Sequence, residues 1–199
     1  MHVAVLDYGY GNLHTLGTAL RAAGAQVQIE PDLAAALAAP ALVLPAVGGF
    51  SATAARLAGG AGALQRALAG GKPCLAIGLG MQLLFEASDE GEGAGLGFIP
   101  GRVLRLQTRR VPHVGWNDVA PAAADPLFPR GGFTAWFANG CAAAPTDPED
   151  VIAWATTYGT RFPAAVRRAN TWGVQFQPEK SGAAGLDLIR DFVSAARTR

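Results

Sequence analysis

Hydrophobic positions in the first hundred residues come in short unbroken runs, and between the runs they recur at helical spacing. "HVAVLD" (2–7) has no polar face, as expected of a strand covered by helices on both sides. After the turn "YGYGN", Leu13, Leu16, Leu20 and Ala23 mark one helix face, and Gly24 stops that helix. "AQVQIE" (25–30), "ALVLP" (41–45) and "KPCLAI" (72–77) predict three further strands, with helices near 51–58 and 61–70. This alternation predicts an α/β fold: a mostly parallel central sheet, right-handed crossovers and flanking helices.

The second half has a different texture. "RVLRL" (102–106), "TAWFA" (134–138), "VIAWAT" (151–156), "AAVRR" (164–168) and "TWGVQF" (171–176) are separated by Pro and Gly turns, which predicts added short antiparallel strands. A last helix, about 183–197, turns Leu186, Leu188, Ile189 and Phe192 inward, and "APAAADP" (120–126) reads as a surface loop. No repeat, linker or boundary breaks the chain, so residues 1–199 read as one domain.

Composition narrows the function classes. Half of the 199 residues are hydrophobic and 16% are charged, which suits a compact globule. A net charge of +1 without a basic run gives no reason to expect nucleic acid or an anionic membrane as partner. No apolar run reaches the roughly 18–20 residues of a bilayer span, and the start lacks the basic leader of a signal peptide. Two cysteines, Cys74 and Cys141, make no disulfide framework, so a reducing cytoplasm is the expected setting. No metal or cofactor is expected. "YGYGN" with Glu30 downstream invites a dinucleotide reading, but the third glycine of that fingerprint is replaced by His14.

Chemistry in open α/β sheets gathers beyond the carboxyl ends of the strands. Three such ends carry unusual residues: "LPAVGGF" (44–50), "AIGLGMQ" (76–82) and "QFQPEKS" (175–181). In this order and spacing they resemble the oxyanion strand, nucleophile elbow and His-Glu motif of class I glutamine amidotransferases. "DYGYGNL" (7–13) and "VPHVGWN" (111–117) are similar to the glutaminase subunit of imidazole glycerol phosphate synthase. The resemblance runs from residue 3 to about 192, with "GLGMQLLFE" and "PEKS" nearly verbatim.

The resemblance implies thioester chemistry on glutamine. An elbow cysteine attacks the side-chain amide, a histidine moves the proton, and a glutamate orients the histidine. Ammonia then passes to a β/α-barrel cyclase bound as a heterodimer, in histidine biosynthesis. Here the cysteine position is Gly78, the histidine position is Gln177, and only Glu179 agrees. Gln177 has no proton to gain or lose near neutral pH. The oxyanion stretch reads Pro45-Ala46-Val47-Gly48, with Leu79 following the elbow. The glutamine-holding His-Ser-Tyr strand end becomes Asn139-Gly140-Cys141, while Gln82 and Glu90 keep substrate-contacting positions. On the partner-facing side Asn12, His113, Trp116, Asn117, Lys180 and Ser181 agree with the family.

The departures thus gather in the glutamine pocket and spare the docking side. The leading reading is a glutaminase-subunit homologue whose own glutamine hydrolysis is lost or severely impaired. Three alternatives stay open: a structural or regulatory subunit docked on the cyclase, an amidotransferase with relocated chemistry using Cys141 or Cys74, and an altered sequence of an active enzyme.

Overall fold

The computed structural model describes residues 1–10 and 13–198, so Asn12 lies outside the described residues. The first half runs β1 (His2–Leu6), α1 (His14–Ala22), β2 (Gln26–Glu30), α2 (Leu33–Ala38), β3 (Ala41–Leu44), α3 (Phe50–Leu57), α4 (Ala61–Ala69), β4 (Cys74–Ile77) and α5 (Leu79–Leu83). The second half runs β5 (Ala87–Ser88), β6 (Gly101–Arg105), β7 (His113–Pro121), β8 (Phe133–Asn139), β9 (Cys141–Pro145), β10 (Val151–Thr157), β11 (Thr160–Arg168), β12 (Thr171–Val174) and α6 (Gly182–Arg197).

One central sheet has the order β2-β1-β3-β4-β12-β11-β10-β7-β8, and β5-β6-β9 form a small second sheet. Every pairing from β2 to β12 is parallel, and every pairing from β12 to β8 is antiparallel. Parallel strands buried on both faces send alternate residues to opposite sides. Val3, Val5, Val43, Leu75 and Ile77 accordingly join Trp172 and Phe192 of β12 and α6 in one core cluster. Ala4, Leu6, Leu42, Leu44 and Ala76 join Leu64, Leu68 and Phe85 in the other.

Four departures from the sequence expectation have physical causes. Helix α2 is alanine-rich and buries only Ala36, so its apolar stripe is too faint to read; the Asp32 side chain accepts from Ala35 N–H at 2.9 Å and caps it. Strand β7 alternates in the reverse sense, with Val114 59% and Trp116 56% exposed while Gly115 and Asn117 face inward. Strand β9, "CAAAP", has no bulky residue to announce it.

The fourth is the supposed surface loop 120–126. It begins as the end of β7 and then dips inward at Asp125, which is 8% exposed. The Asp125 carboxylate accepts from Leu127 N–H at 2.8 Å, Trp172 Nε1–H at 3.1 Å and Arg167 Nη1 at 2.9 Å. The Arg167 guanidinium also lies 4.8 Å over the Trp172 ring. One carboxylate therefore ties the loop to both β11 and β12. Asp125→Ala would leave an indole N–H and a guanidinium facing a void. It is expected to lower stability by about 3 kcal/mol, read as a fall in the urea midpoint at unchanged slope.

Candidate active site

The site is built where β3, β4 and β12 end together. Leu44 pairs with Ala76 and Val174 with Ile77, so the segments that follow emerge side by side. The turn after β4 is sharp. Gly78 sits at φ 51°, ψ −109°, its N–H donates to Val174 C=O at 2.7 Å, and its C=O receives Gln82 N–H at 3.1 Å as α5 begins. A positive φ of this kind strains residues with a side chain and is free for glycine. Helix α5 then runs so close to β3 that a Cβ on Gly80 would lie 2.2 Å from Leu44 C=O.

The neighbour of Gly78 matters more than its torsion angles. A Cβ built on Gly78 would lie 2.8 Å from the Ala46 Cβ, closer than two such carbons can rest. The methyl of Ala46 occupies the space that a side chain at the elbow would need. Ala46 and Gly78 thus form one steric unit.

Around the elbow lies a cavity of about 310 Å³. Its wall includes Ala46, Gly48, Gly78, Leu79, Gln82, Glu90, Asn139, Gly140, Cys141 and Gln177. The sequence assigned all of these to one pocket, and the fold brings them to one cavity. Val47 is absent from the wall and packs into both core clusters. Gln175, not singled out in the sequence, lines the wall at the end of β12; its signal was a polar residue closing the apolar run "TWGV". Gln82, Asn139 and Gln175 are 3%, 5% and 3% exposed, and their amide oxygens, like that of Gln177, have no hydrogen-bond partner. An unpaired buried polar group costs about 1–3 kcal/mol, so this wall is held at a standing energetic cost.

Gln177 is fixed by its backbone. Its N–H donates to Trp136 C=O at 2.9 Å, and its C=O accepts from Ser181 Oγ at 2.7 Å and Lys180 N–H at 3.0 Å. Ser181 Oγ in turn accepts from Trp136 N–H at 3.0 Å. Glu179 is not on this wall; it contributes to the lining of a separate cavity with His14, Thr15 and Thr18 of α1 and Leu186 of α6. Its Oε2 is buried without a hydrogen-bond partner.

Neither thiol has the setting of a nucleophile. Cys74 opens β4 at the end far from the elbow, and burial pushes its thiol far above the ordinary range. Cys141 does line the cavity, but burial pushes its thiol up and the Glu90 carboxylate adds to that, with Arg105 opposing. A reactive cysteine needs the opposite, a stabilised thiolate.

On the side read as partner-facing, His113 Nδ1 and Nε2 each lie 3.2 Å from Thr157 Oγ1 and Asn117 Nδ2 respectively. The ring also stacks in a tilted contact on Phe137, and burial lowers its pKa. Asn117 Nδ2 also donates to Thr156 C=O at 3.0 Å. Trp116 leans edge-on against Trp136 with centroids 5.9 Å apart, leaving much of its face open. Lys180 is exposed at the start of the segment leading into α6.

Burial holds the Glu179 carboxyl above the usual glutamate range, while its own N–H and Lys180 pull it down. A carboxyl raised in the folded state gives stability that is complete below its unfolded pKa of about 4.3 and is lost as pH rises through the folded value. Glu179→Gln is therefore expected to unfold at a higher temperature than the parent at neutral pH and to match it near pH ~4. Equal midpoints at neutral pH would contradict a desolvated carboxylate.

Comparison with known proteins follows the same lines. The class-I glutamine amidotransferase family matches residues 4–196. The imidazole glycerol phosphate synthase subunit HisH of Synechococcus elongatus is 41% identical over 200 residues, covering 96% of this chain and 92% of that protein. The subunit of the same name from Methanothermobacter thermautotrophicus is 40% identical over 205 residues, covering 98% and 99%. Among solved structures, a glutamine amidotransferase superposes with a TM-score of 0.78 at 18% identity, covering 98% of each chain. PurLQS from Thermotoga maritima gives 0.73 at 20% identity, covering 99% of this chain and 97% of that one. At such identities these two speak for the fold alone. The chain belongs to the class-I glutamine amidotransferases and, within them, to the HisH family of imidazole glycerol phosphate synthase subunits.

Proposed function

We propose that this chain keeps the architecture of a HisH subunit, docking face included, but does not itself hydrolyse glutamine. The observation that carries the reading is the closeness of Ala46 to Gly78: the elbow has no nucleophile, and a Cβ there would lie 2.8 Å from the Ala46 methyl. The position of the proton shuttle is Gln177, whose carboxamide neither accepts nor releases a proton near neutral pH. Glu179 keeps the carboxylate of the third triad position, but with Gln177 beside it in the chain it has no imidazole to orient. With nucleophile and base both gone, at most the roughly 10³–10⁴-fold acceleration that binding and oxyanion contacts alone supply in other triads remains, too little to register as turnover. Cys141 does not replace the nucleophile, because burial and Glu90 both hold its thiol protonated.

The partner is a β/α-barrel cyclase. Val114 and Trp116 stand outward from the β7–β8 pair, with Val111 39% and Tyr10 43% exposed. An exposed tryptophan already braced by Trp136 has little conformational freedom to lose on docking, which suits an interface anchor. The role that follows is a non-catalytic subunit seated on the cyclase, which then depends on ammonia from outside this chain.

Two measurements test this. The first is glutamine-dependent ammonia release, with and without the cyclase, from the parent and a variant series. The parent and Cys141→Ser are expected to be equally silent; turnover removed by Cys141→Ser would refute the reading. Gly78→Cys alone is expected to lose about 2–4 kcal/mol of stability, from backbone strain and from overlap with Ala46. Adding Ala46→Gly should return the overlap part, a coupling of about 1–3 kcal/mol in a double-mutant cycle. Activity is expected only once Gly78→Cys, Ala46→Gly and Gln177→His are combined. The second is calorimetric titration of the cyclase from the same source. Trp116→Ala is expected to weaken binding by about 2 kcal/mol with the fold unchanged, and absence of binding by the parent would refute the docking role.

A further inference from the structure

The end of the sheet away from the elbow holds another cavity, of about 380 Å³. Arg168 ends β11 opposite Thr171, and Thr171 pairs with Cys74 at the start of β4, so this space lies at the other end of β4 from Gly78. Gln65, Arg66 and Ala69 of α4 line it, and Phe98, Arg168 and Ala169 complete the wall. Its charged side chains are both arginines, with no acidic residue among the described residues that line it. Two like charges on one wall repel each other, and an anion between them turns that repulsion into attraction.

Neither arginine is used up by the fold. Arg168 Nε and Nη2 donate to the two carboxylate oxygens of Asp150 at 3.1 and 2.6 Å. That pair fixes the plane of the guanidinium and leaves Nη1 for a further acceptor. Asp147 also acts on Arg168 through its field, but neither acid lines the cavity. The Arg66 guanidinium makes no ion pair or hydrogen bond to any described residue. It belongs to the last turn of α4, where a cation commonly serves the helix C-terminus. Yet its Nη1 would lie 3.3 Å from a Cβ on Gly62, one turn back, so it leans away from the carbonyls it would serve.

We infer that this cavity is a reversible binding site for a small phosphate monoester, its phosphate taken by Arg66 and Arg168 and its organic part laid against Phe98, Ala69 and Ala169. Planar guanidinium groups match the oxygens of a phosphate, and a charge near −2 at neutral pH balances two arginines. The volume is of the size of small-molecule sites, about 300–1,000 Å³, so a bare ion would leave most of it empty. Phe98, 8% exposed, gives the organic part an apolar surface to rest on. The site shares no residue with the elbow cavity and stands apart from the loss of glutamine hydrolysis.

Calorimetric titration of the intact chain decides it, with phenyl phosphate, inorganic phosphate and phenol as probes at equal ionic strength in chloride. Phenyl phosphate is expected to bind saturably, inorganic phosphate about tenfold more weakly, and phenol not at all. Affinity for phenyl phosphate should fall below pH ~6, where the dianion takes up a proton. Arg66→Gln, at an exposed position, is expected to weaken binding about tenfold. Gln65→Glu, which sets a carboxylate on the wall, is expected to abolish it. Both variants should keep the parent's thermal midpoint, so that a loss of binding is not a loss of fold. Arg56→Gln removes an exposed arginine from the lining of a different cavity and is expected to bind as the parent does. No saturable heat with phenyl phosphate, phenol binding as tightly, an unaltered response in Arg66→Gln, or an equal loss in Arg56→Gln would each overturn the site. Ammonia release from glutamine reads the absence of hydrolysis separately, so a failure of either reading is distinguishable from a failure of the other.

Discussion

Ala46 and Gly78 come close because β3 and β4 run parallel with Leu44 opposite Ala76, so the chain leaves both strands at the same height. The parallel ladder holds the two strand ends at one height, with Ala46 two residues beyond the end of β3 and Gly78 directly after β4. The two segments leave the sheet close enough that a Cβ on Gly78 would lie 2.8 Å from the Ala46 Cβ. The rest of the site takes its form from this constraint. Gly78 keeps the positive-φ turn without strain, α5 stays pressed against β3 through Gly80, and Gln82 is carried to the cavity one turn later.

The outer face and the cavity share a strand. Trp136 of β8 stands beside Trp116 as its cross-strand partner, and its backbone bonds to Gln177 and to Ser181. Asn139 ends the same strand, and Gly140 and Cys141 follow it along the cavity wall. A partner seated on Trp116 would therefore bear on the element that holds Gln177 in place. This link does not depend on the side chains at 78 and 177, because it runs through the main chain of Trp136 and Gln177 and through Ser181 Oγ.

The polar wall gives the cavity a character that differs from that of a collapsed site. A pocket with no further use would lose little by exchanging buried carboxamides for alkyl groups, since an unpaired amide in the interior is a standing cost. Gln82, Asn139, Gln175 and Gln177 remain, beside a carboxylate at Glu90. Around them the core is ordinary, with alternate strand residues feeding two apolar layers. The expense is local, and it falls on the space beside the elbow.

The sequence by itself determined the parallel half of the fold, because buried strands and amphipathic helices leave unbroken runs and 3.6-residue spacing that depend only on local composition. It also determined which residues surround the elbow, since Ala46, Gly78, Gln82, Glu90, Asn139 and Gln177 lie in motifs whose order could be matched. It did not reveal β7, because Val114 and Trp116 place the apolar side of that strand outward and invert the expected alternation. Nor did it reveal α2 or β9, where alanines carry too little hydrophobic contrast. Only the tertiary structure decided that Ala46 and Gly78 are one steric unit, that Glu179 lines another cavity, that Val47 turns into the core, and that Asp125 anchors a loop that reads as surface. Each of these depends on distances between segments far apart in the chain, which strand register sets and local composition does not encode.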